Sequence, residues 1–434
     1  MPALAQSRGL PLIRDAEIEG LMRLYTRPIF KAAGINPGAV KVHLVNHSSI
    51  NAFVAGGQRI FIHTGLLLDA KTPNEVIGVL AHEAAHIAGG HLARLGIQID
   101  KLTTANIVGM LLAGAAVAGA AASGQPGAGR AGAGVLLGTQ SLTQRSLLAY
   151  ARVQESASDQ AAVRFLDRTG QSSRGMLELF HKLANRSIGT LQYIDPYVQS
   201  HPLPLERIRN LERIAKASPH FNKKDPPALV LRHQLMQAKL IGFLKGPQQV
   251  YQAYPSSDKS LQSRYARAIS AFRTGKLRNA IPLTDSLIRD MPKYPYFWEL
   301  KGQALLEGGQ PAKAIKPLRR AQKLLPHSGL IKIMLGQAHL NSGGKDNAKA
   351  AVSVLKRARR SENNQPRLHL LLAQAYGKLN RIALAELETA EAAMLMGDRQ
   401  LARQKIKRAL GGLKRGTPEW IRANDILKIS GRKS

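Results

Sequence analysis

Hydrophobic and polar positions change their spacing several times in the first part of the chain. Residues 15–33 carry apolar side chains at helical spacing, which predicts an α-helix. Residues 40–45 alternate instead, which predicts a β-strand. Residues 52–55 and 59–62 form two further apolar runs, and the Gly-Gly pair between them favours a tight turn. A helix, a strand and a β-hairpin are therefore expected in this order.

A second helix is expected to begin at Thr72. Thr72 is a good capping residue, Pro73 suits the first helical position, and Glu75 stands three residues after the cap. The apolar residues that follow lead directly into His82. The motif that contains His82 is therefore predicted to lie on a helix.

Residues 105–129 carry no charged side chain and consist largely of Ala and Gly. A long uncharged segment is typical of a membrane span, but Ala and Gly contribute little transfer free energy and a Pro-Gly pair interrupts this segment. We expect residues 105–135 to form a lid or a loop that touches a membrane, with a true span as the alternative. Helical spacing resumes at about residue 142 and continues to about residue 165.

From Tyr265 onward the chain repeats itself with a period of 34 residues. Small residues and prolines keep this interval; the matched sets are Gly275, Gly309 and Gly343, Ala280, Ala314 and Ala348, Gly302 and Gly336, and Pro292 and Pro326. A fourth copy with a three-residue insertion includes Asn380, and residues 397–427 look like a further, degenerate helical pair. This helix-turn-helix period, with small residues where helices cross, resembles the tetratricopeptide repeat.

At 434 residues the chain is long enough for two domains. A charged, Pro-rich stretch ending at Pro227 marks the expected boundary, which gives a first domain over residues 1–225 and a second over residues 226–434. The predicted fold class is an α+β domain with a small β-sheet, followed by an all-α solenoid of repeats. The sequence contains no cysteine, so no disulfide joins the domains and no thiol binds a metal.

Basic residues are concentrated in the second domain, which holds 38 Lys and Arg against 13 Asp and Glu, a net charge of +25. Such a charge attracts an anionic partner, which is an acidic protein, an anionic membrane surface or nucleic acid. Nucleic acid is not expected as a partner, because the sequence has no recognition motif or aromatic stacking platform. The alternative is that the Lys and Arg side chains simply solvate the outer faces of many helices.

The sequence His82-Glu83-Ala84-Ala85-His86 places two histidines four residues apart, and therefore on one face of the predicted helix. Both imidazoles can reach one zinc ion at about 2.0–2.1 Å, and Glu83 can take a proton from metal-bound water. The alternative is a pair of surface histidines on an ordinary amphipathic helix. The helix start upstream favours the metal site, so we predict a metallopeptidase.

Catalytic zinc usually has three protein ligands and one open position, so a third ligand is needed. A histidine ten residues after His82 would complete one known pattern, but Leu92 occupies that position. A carboxylate from a second helix is the other candidate. Glu155 would be this ligand, and Asp159, four residues later on the same face, would accept a hydrogen bond from a ligating imidazole.

Several segments resemble the HtpX-like gluzincin peptidases, the family that also contains the CaaX prenyl endopeptidase. They are residues 51–57, residues 64–67, the His82–His86 motif, Glu155 with Asp159, and His201-Pro202. The resemblance implies a gluzincin metallopeptidase fold for the first domain. It also implies that His82, His86 and Glu155 bind one Zn²⁺ per chain and that Glu83 is the catalytic base.

The resemblance further implies that Asp159 orients His82 and that His201 approaches the metal. A loop histidine such as His201 would either stabilise the oxyanion or occupy the open zinc position and switch the enzyme off. Arg207 would supply positive charge to the same oxyanion, or would serve only as a salt-bridge partner. Other isolated histidines, such as His91, receive no role.

A peptidase domain of this type joined to C-terminal repeats is similar to periplasmic proteases of Gram-negative bacteria. This implies an endopeptidase for misfolded or stalled proteins in outer-membrane protein quality control and assembly. An unfolded substrate would add a strand to the hairpin at residues 51–62, and the repeats would recruit the assembly machinery or its clients. Residues 3–5 resemble the end of a signal peptide, which is consistent with export. The rivals are a periplasmic chaperone or scaffold with minor proteolysis, and an integral-membrane protease.

Overall fold

The computed structural model describes residues 10–95, 97–98, 149–188, 197–198 and 201–431. Two predictions fall outside these residues: the signal-like residues 3–5, and the uncharged segment 105–129 with the lid expected over residues 105–135. Within the described chain, no helix combines the length and the apolar character that crossing a membrane requires.

A four-stranded sheet lies in the first part of the chain. Its strands are β1 (Leu12–Ile13), β2 (Lys41–Val45), β3 (Ala52–Ala55) and β4 (Arg59–His63). The strand order is β1-β2-β4-β3, with β2 and β4 parallel and the other pairs antiparallel. Three residues, Gly56, Gly57 and Gln58, join β3 to β4, and the two glycines have φ values of +56° and +91°, in the left-handed region that favours glycine. The predicted strand and hairpin are confirmed.

Besides the helical residues 91–95, 97–98 and 197–198, six helices are described in the first part of the chain. They are α1 (Ala16–Ala32), α2 (Thr64–Asp69), α3 (Pro73–Ala88), α4 with its described part at 149–168, α5 (Arg174–Ile188) and α6 (Leu205–Lys216). The predicted start of α3 is confirmed, because the Thr72 side chain accepts the backbone N–H of Glu75. The Glu75 carboxylate reaches back to the N–H of Lys71 rather than to that of the cap.

Helix α3 is the central element of the first part, and its residues 73–85 are all buried. It packs closely on α5: a Cβ atom added to Gly78 would lie 2.4 Å from Met176 Cβ. The absence of a side chain at Gly78 therefore lets the two helices approach. A helix buried on all sides holds the residues of its chemical motif in one orientation.

The chain divides into two compact units, Met1–Ile13 with Ile18–His233 and Arg14–Glu17 with Gln234–Ser434. This division falls after His233, inside helix α7 (Pro227–Leu244), whereas the sequence places the boundary at residue 225. The reason for the difference is that prolines 226 and 227 begin a helix instead of forming a linker. The second unit also takes up the four residues 14–17, which no local pattern indicates.

From residue 234 onward, the second unit contains no strand among its described residues, and it begins within α7. The further helices are α8 (Pro247–Ala253), α9 (Leu261–Arg273), α10 (Leu277–Asp290), α11 (Pro295–Glu307), α12 (Pro311–Leu324), α13 (Gly329–Ser342), α14 (Lys345–Glu362), α15 (Pro366–Lys378), α16 (Ile382–Leu395), α17 (Arg399–Gly412) and α18 (Pro418–Ser430). The predicted fold class, an α+β unit followed by an all-α unit, is therefore confirmed.

The 34-residue period has a direct structural basis. Gly275, Gly309 and Gly343 have φ values of +73°, +75° and +76°, so each turns the chain in the left-handed conformation. In the fourth copy Asn380 takes this conformation with φ 58°. Where helices cross, a Cβ atom on Gly302 would lie 2.4 Å from Leu318 Cγ. The repeat prediction is confirmed.

Candidate metal centre

Helix α3 presents His82 and His86 on one face because residues four apart lie one turn above each other. Their Nε2 atoms are 3.0 Å apart. His82 is fully buried and His86 is partly exposed. The Nε2 atoms of the two rings therefore face the same position beside α3.

The Glu155 carboxylate of α4 meets this histidine pair. Glu155 Oε2 is 3.2 Å from His82 Nε2, and Glu155 Oε1 is 3.3 Å from His86 Nε2. The separation between residues 82 and 155 along the chain shows that this meeting depends on tertiary packing. Glu155 therefore lies within ligand reach of the pair, as the sequence argument requires.

His201 completes the group. Its Nδ1 atom is 3.0 Å from each Glu155 oxygen and 3.4 Å from His82 Nε2. One potential ligand atom from each of His82, His86, Glu155 and His201 lies within 4.8 Å of all the others. The structure thus brings a fourth donor to the three that the sequence suggests.

These distances fit a zinc ion. Two ligand atoms that are each about 2.0–2.1 Å from a tetrahedral ion lie roughly 3.3 Å apart. The separations of 3.0, 3.2 and 3.3 Å among His82, His86 and Glu155 are close to this value. Two imidazoles and a carboxylate are also ligand types that zinc prefers.

Asp159 and Arg207 support the group from behind. Asp159 Oδ1 is 3.0 Å from His82 Nδ1, so the Asp159 carboxylate faces this ring nitrogen while His82 Nε2 faces Glu155. Arg207 donates through Nε and Nη2 to Asp159 at 2.6 and 2.9 Å, and its Nη1 is 2.9 Å from Glu155 Oε2. The guanidinium also stacks over Phe180, 5.5 Å from the ring centroid. Arg207 therefore bridges the two carboxylates that the histidines contact.

The electrostatics of the group follow from these contacts. Burial lowers the pKa of His82, but hydrogen bonds to Asp159 and Glu155 outweigh burial and raise it to about 9. Burial lowers the pKa of His86 to about 4, with the hydrogen bond to Glu155 opposing it. Burial raises the pKa of Glu155, but the contacts with His201, His82 and His86 bring it well below its ordinary value. The Glu155 carboxylate is thus held ionised, which is the form that binds a metal.

Glu83 lies on the adjacent side of α3. Its carboxylate is 1% exposed, and among the residues described neither oxygen has a hydrogen-bond partner. His201 Nε2 is 3.5 Å from Glu83 Oε1. Burial raises the pKa of Glu83, and the nearby His201 and His82 oppose that rise. A buried carboxylate with two free acceptor oxygens is suited to take up a proton.

His91, for which the sequence predicts no role, contacts the site. Its Nδ1 atom is 3.0 Å from His86 Nδ1 and 3.2 Å from Ser158 Oγ. Helix α3 ends at Ala88, and Gly90 with φ +61° turns the chain so that His91 folds back onto His86. The pair Gly89-Gly90, shortly after the His82–His86 motif, is the sequence feature that could have indicated this turn.

Two comparisons with protein families match separate parts of the chain. The model of peptidase family M48 matches residues 17–215. A tetratricopeptide-repeat model matches residues 265–328. The first match includes the four donors His82, His86, Glu155 and His201, together with Glu83, Asp159 and Arg207.

Comparisons with curated proteins give relatives that extend over most of the chain. The Beta-barrel assembly-enhancing protease of Yersinia pestis is 26% identical over 381 residues, 84% of this chain and 73% of that protein. The protein of the same name from Escherichia coli (strain K12) is 24% identical over 395 residues, 86% of this chain and 75% of that protein. Metalloprotease LoiP from the same bacterium is 29% identical over 206 residues, 46% of this chain and 72% of LoiP.

Proposed function

Because residues 17–215 form a peptidase domain of family M48, followed by tetratricopeptide repeats, we propose that the chain is a zinc endopeptidase acting on unfolded polypeptides. His82, His86 and Glu155 would hold one zinc ion per chain. The observation that carries this proposal is the convergence of these three side chains, with ligand atoms 3.0–3.3 Å apart. When bound, the ion would polarise the scissile carbonyl and acidify a water molecule.

Glu83 is the general base in this proposal. Its two buried oxygens have no hydrogen-bond partner among the described residues, so a carboxylate oxygen is free to accept the proton of the attacking water. The same carboxylic acid then gives its proton to the amine nitrogen that leaves. Burial favours the neutral form of Glu83, which strengthens this carboxylate as the base of the first step.

Arg207 and Asp159 act as positioning residues. Asp159 fixes the His82 ring through Nδ1, and Arg207 holds both acidic side chains in place. Because Arg207 is committed to these two carboxylates, we favour the salt-bridge alternative over a direct role at the oxyanion. Removing the Arg207 guanidinium would leave the buried carboxylates of Asp159 and Glu155 with less positive charge to balance them.

His201 has two candidate roles, and the contacts favour one. Its Nδ1 atom faces Glu155 and His82, so a small rotation would make it a further metal ligand that closes the open position. The alternative is that His201 turns its N–H toward the oxyanion of the substrate. We favour the capping role, since the ring already lies within the donor group.

Substrate polypeptide would bind along β3. This strand pairs with β4 on one side, and in the described part of the chain no strand pairs with its other side. It also lies against α3, the helix that carries Glu83. A substrate added as a further strand would be selected by an accessible extended backbone rather than by its side chains.

We place this activity in the quality control and assembly of outer-membrane proteins. The support is the similarity to two proteins named Beta-barrel assembly-enhancing protease, and the repeats would recruit the assembly machinery or its clients. The periplasm is the corresponding compartment. Periplasmic extracts of the host, prepared by osmotic shock and probed with an antibody, should contain the protein; its retention in the cytosol or exclusively in membranes would contradict this placement.

The peptidase proposal is tested with the full chain and an unfolded substrate such as fluorescein-labelled casein. The parent should contain one zinc per chain by native mass spectrometry. Glu83→Gln should keep the zinc but lose activity by about 10²–10⁴-fold, the usual contribution of a general base. Glu178→Gln, which changes an exposed carboxylate on α5, should behave like the parent. Equal cleavage by Glu83→Gln and the parent would favour the chaperone or scaffold alternative.

His201→Ala separates the two roles of that residue. If His201 caps the metal at rest, the variant should cleave casein faster than the parent. If it stabilises the oxyanion, activity should fall by about 10²–10³-fold. Unchanged activity would remove both roles.

A further inference from the structure

The second unit contains a groove between Gly275 and Pro317 with a volume of about 1400 Å³. Its walls come from the three consecutive helices α10, α11 and α12. Sites for small molecules commonly measure about 300–1,000 Å³. The groove is therefore large enough to take a stretch of polypeptide.

Charge in the groove has one sign. Five cationic side chains line it and no carboxylate does: Lys276, Arg278, Lys301, Lys313 and Lys316. Lys301 is paired with Asp285, whereas in the described chain none of the other four lies within 4.0 Å of a carboxylate. Unpaired cations that share one concave surface raise its potential and attract an anionic ligand.

The same groove has an apolar surface. Ile281, Trp298 and Leu305 contribute large hydrophobic side chains, and Trp298 is only partly buried. The Trp298 indole N–H is already bound to the Pro292 carbonyl, so its ring is held in a fixed position. A fixed ring of this kind is a favourable contact for an apolar side chain.

Two prolines add hydrogen-bond acceptors. Pro282 lies inside α10 and Pro317 lies inside α12, and both line the groove. Because proline has no N–H, the carbonyl groups four residues earlier, those of Arg278 and Lys313, lose their usual intrahelical donor. Both residues line the groove, so the two carbonyl groups without this donor belong to residues of the groove wall.

We propose that this groove binds an acidic segment of another protein, with carboxylates on the cationic rim and apolar side chains on the surface around Trp298. A second copy of this chain is a poor occupant, because its net charge is +34. A nucleic acid would find one aromatic ring instead of a stacking series, and a lipid headgroup would leave the apolar surface uncovered. No groove residue belongs to the proposed metal centre, so the test is independent of peptidase activity.

The test measures binding of a fluorescein-labelled peptide that alternates Glu and Leu to the full chain, by anisotropy. The Trp420→Phe variant keeps Trp298 as its single tryptophan. Titration of this variant with the peptide should change the Trp298 emission, and the affinity obtained should equal the one from anisotropy. The double variant Lys313→Glu, Lys316→Glu should weaken binding at least about tenfold. The control Arg319→Glu, Arg320→Glu changes the same charge on exposed residues of α12 outside the groove, and should weaken binding less than about threefold.

Three outcomes would overturn the proposal. The first is an absence of peptide binding, or equal losses in the two double variants. The second is equal binding of a peptide that alternates Glu and Ser, since the apolar surface would then have no function. The third is a change of Trp298 emission with phosphatidylglycerol vesicles or single-stranded oligothymidylate but not with the Glu-Leu peptide.

Discussion

Replacing Asp159 tests whether a buried carboxylate outside the ligand set holds the metal centre together. Asp159 Oδ1 lies 3.0 Å from His82 Nδ1, and both Asp159 oxygens accept hydrogen bonds from Arg207. In Asp159→Asn the shape is retained but the negative charge is lost. His82 then has a weaker acceptor behind it, so its Nε2 atom is held less firmly toward Glu155.

The size of the effect follows from this geometry. Loss of a partner that orients a ligating histidine typically lowers metal affinity by 10–100-fold, or about 1.4–2.7 kcal/mol. Asn keeps one acceptor oxygen for the His82 N–H, so we expect Asp159→Asn to lose about tenfold. Asp159→Ala has no acceptor and also leaves Arg207 without its bidentate partner, so its loss should approach about 100-fold.

Zinc affinity is measured for the full chain by competition with a chromophoric chelator. The midpoint of thermal unfolding is recorded without zinc, so that loss of fold is separated from loss of the site. Glu178→Gln, an exposed carboxylate on α5, is the control and should bind zinc like the parent. Zinc affinities within about twofold of the parent for both Asp159 variants would refute the argument, since Asp159 would then serve only to neutralise Arg207.

Three further results are expected. Chelation of zinc should lower the melting temperature of the parent, because metal present at about 100 times its Kd stabilises the folded state by about 2.7 kcal/mol. An unchanged melting temperature would contradict zinc binding. Gly302→Ala should lower the free energy of unfolding in urea by about 1–3 kcal/mol, because its Cβ would lie 2.4 Å from Leu318. Gly377→Ala should raise it by up to about 1 kcal/mol, because a Cβ there has no neighbour within 4 Å. Effects of the same sign in the two variants would refute this packing argument. Burial raises the pKa of Glu388, but His369 and nearby arginines outweigh burial and bring this pKa below the ordinary 4.5. The ionised Glu388 therefore stabilises the fold above pH 4.5, and this contribution is lost as the pH falls through the folded-state pKa. Acid unfolding followed by circular dichroism should therefore be less steep for Glu388→Gln than for the parent, and identical pH profiles would exclude this contribution.

Local patterns were sufficient to predict the elements that carry the chemistry. The Thr72 cap of α3, the i, i+4 spacing of His82 and His86, and the Gly-Gly hairpin depend on residues close in sequence. Repetition was as informative: three glycines at a constant interval all adopt the left-handed conformation. In each case the interaction that fixes the backbone lies within a few residues, so the sequence alone contains it.

Residues distant in the sequence meet for reasons that no local pattern expresses. The resemblance to a family indicated that Glu155 and His201 belong near His82, but only the packing of α3, α4 and the loop before α6 gives distances of 3.0–3.4 Å. The bridge by Arg207 depends on a side chain 48 residues from its partner Asp159.

The sequence by itself determined where α3, the hairpin and the repeats begin, and which residues have metal-binding chemistry. Tertiary structure decided which donor atoms converge, that His91 folds back onto His86, and that unpaired cations and apolar side chains share one groove. The physical reason is the distance along the chain over which each interaction acts. Backbone preferences and capping act over a few residues, whereas the position of a buried charge depends on every helix that packs around it.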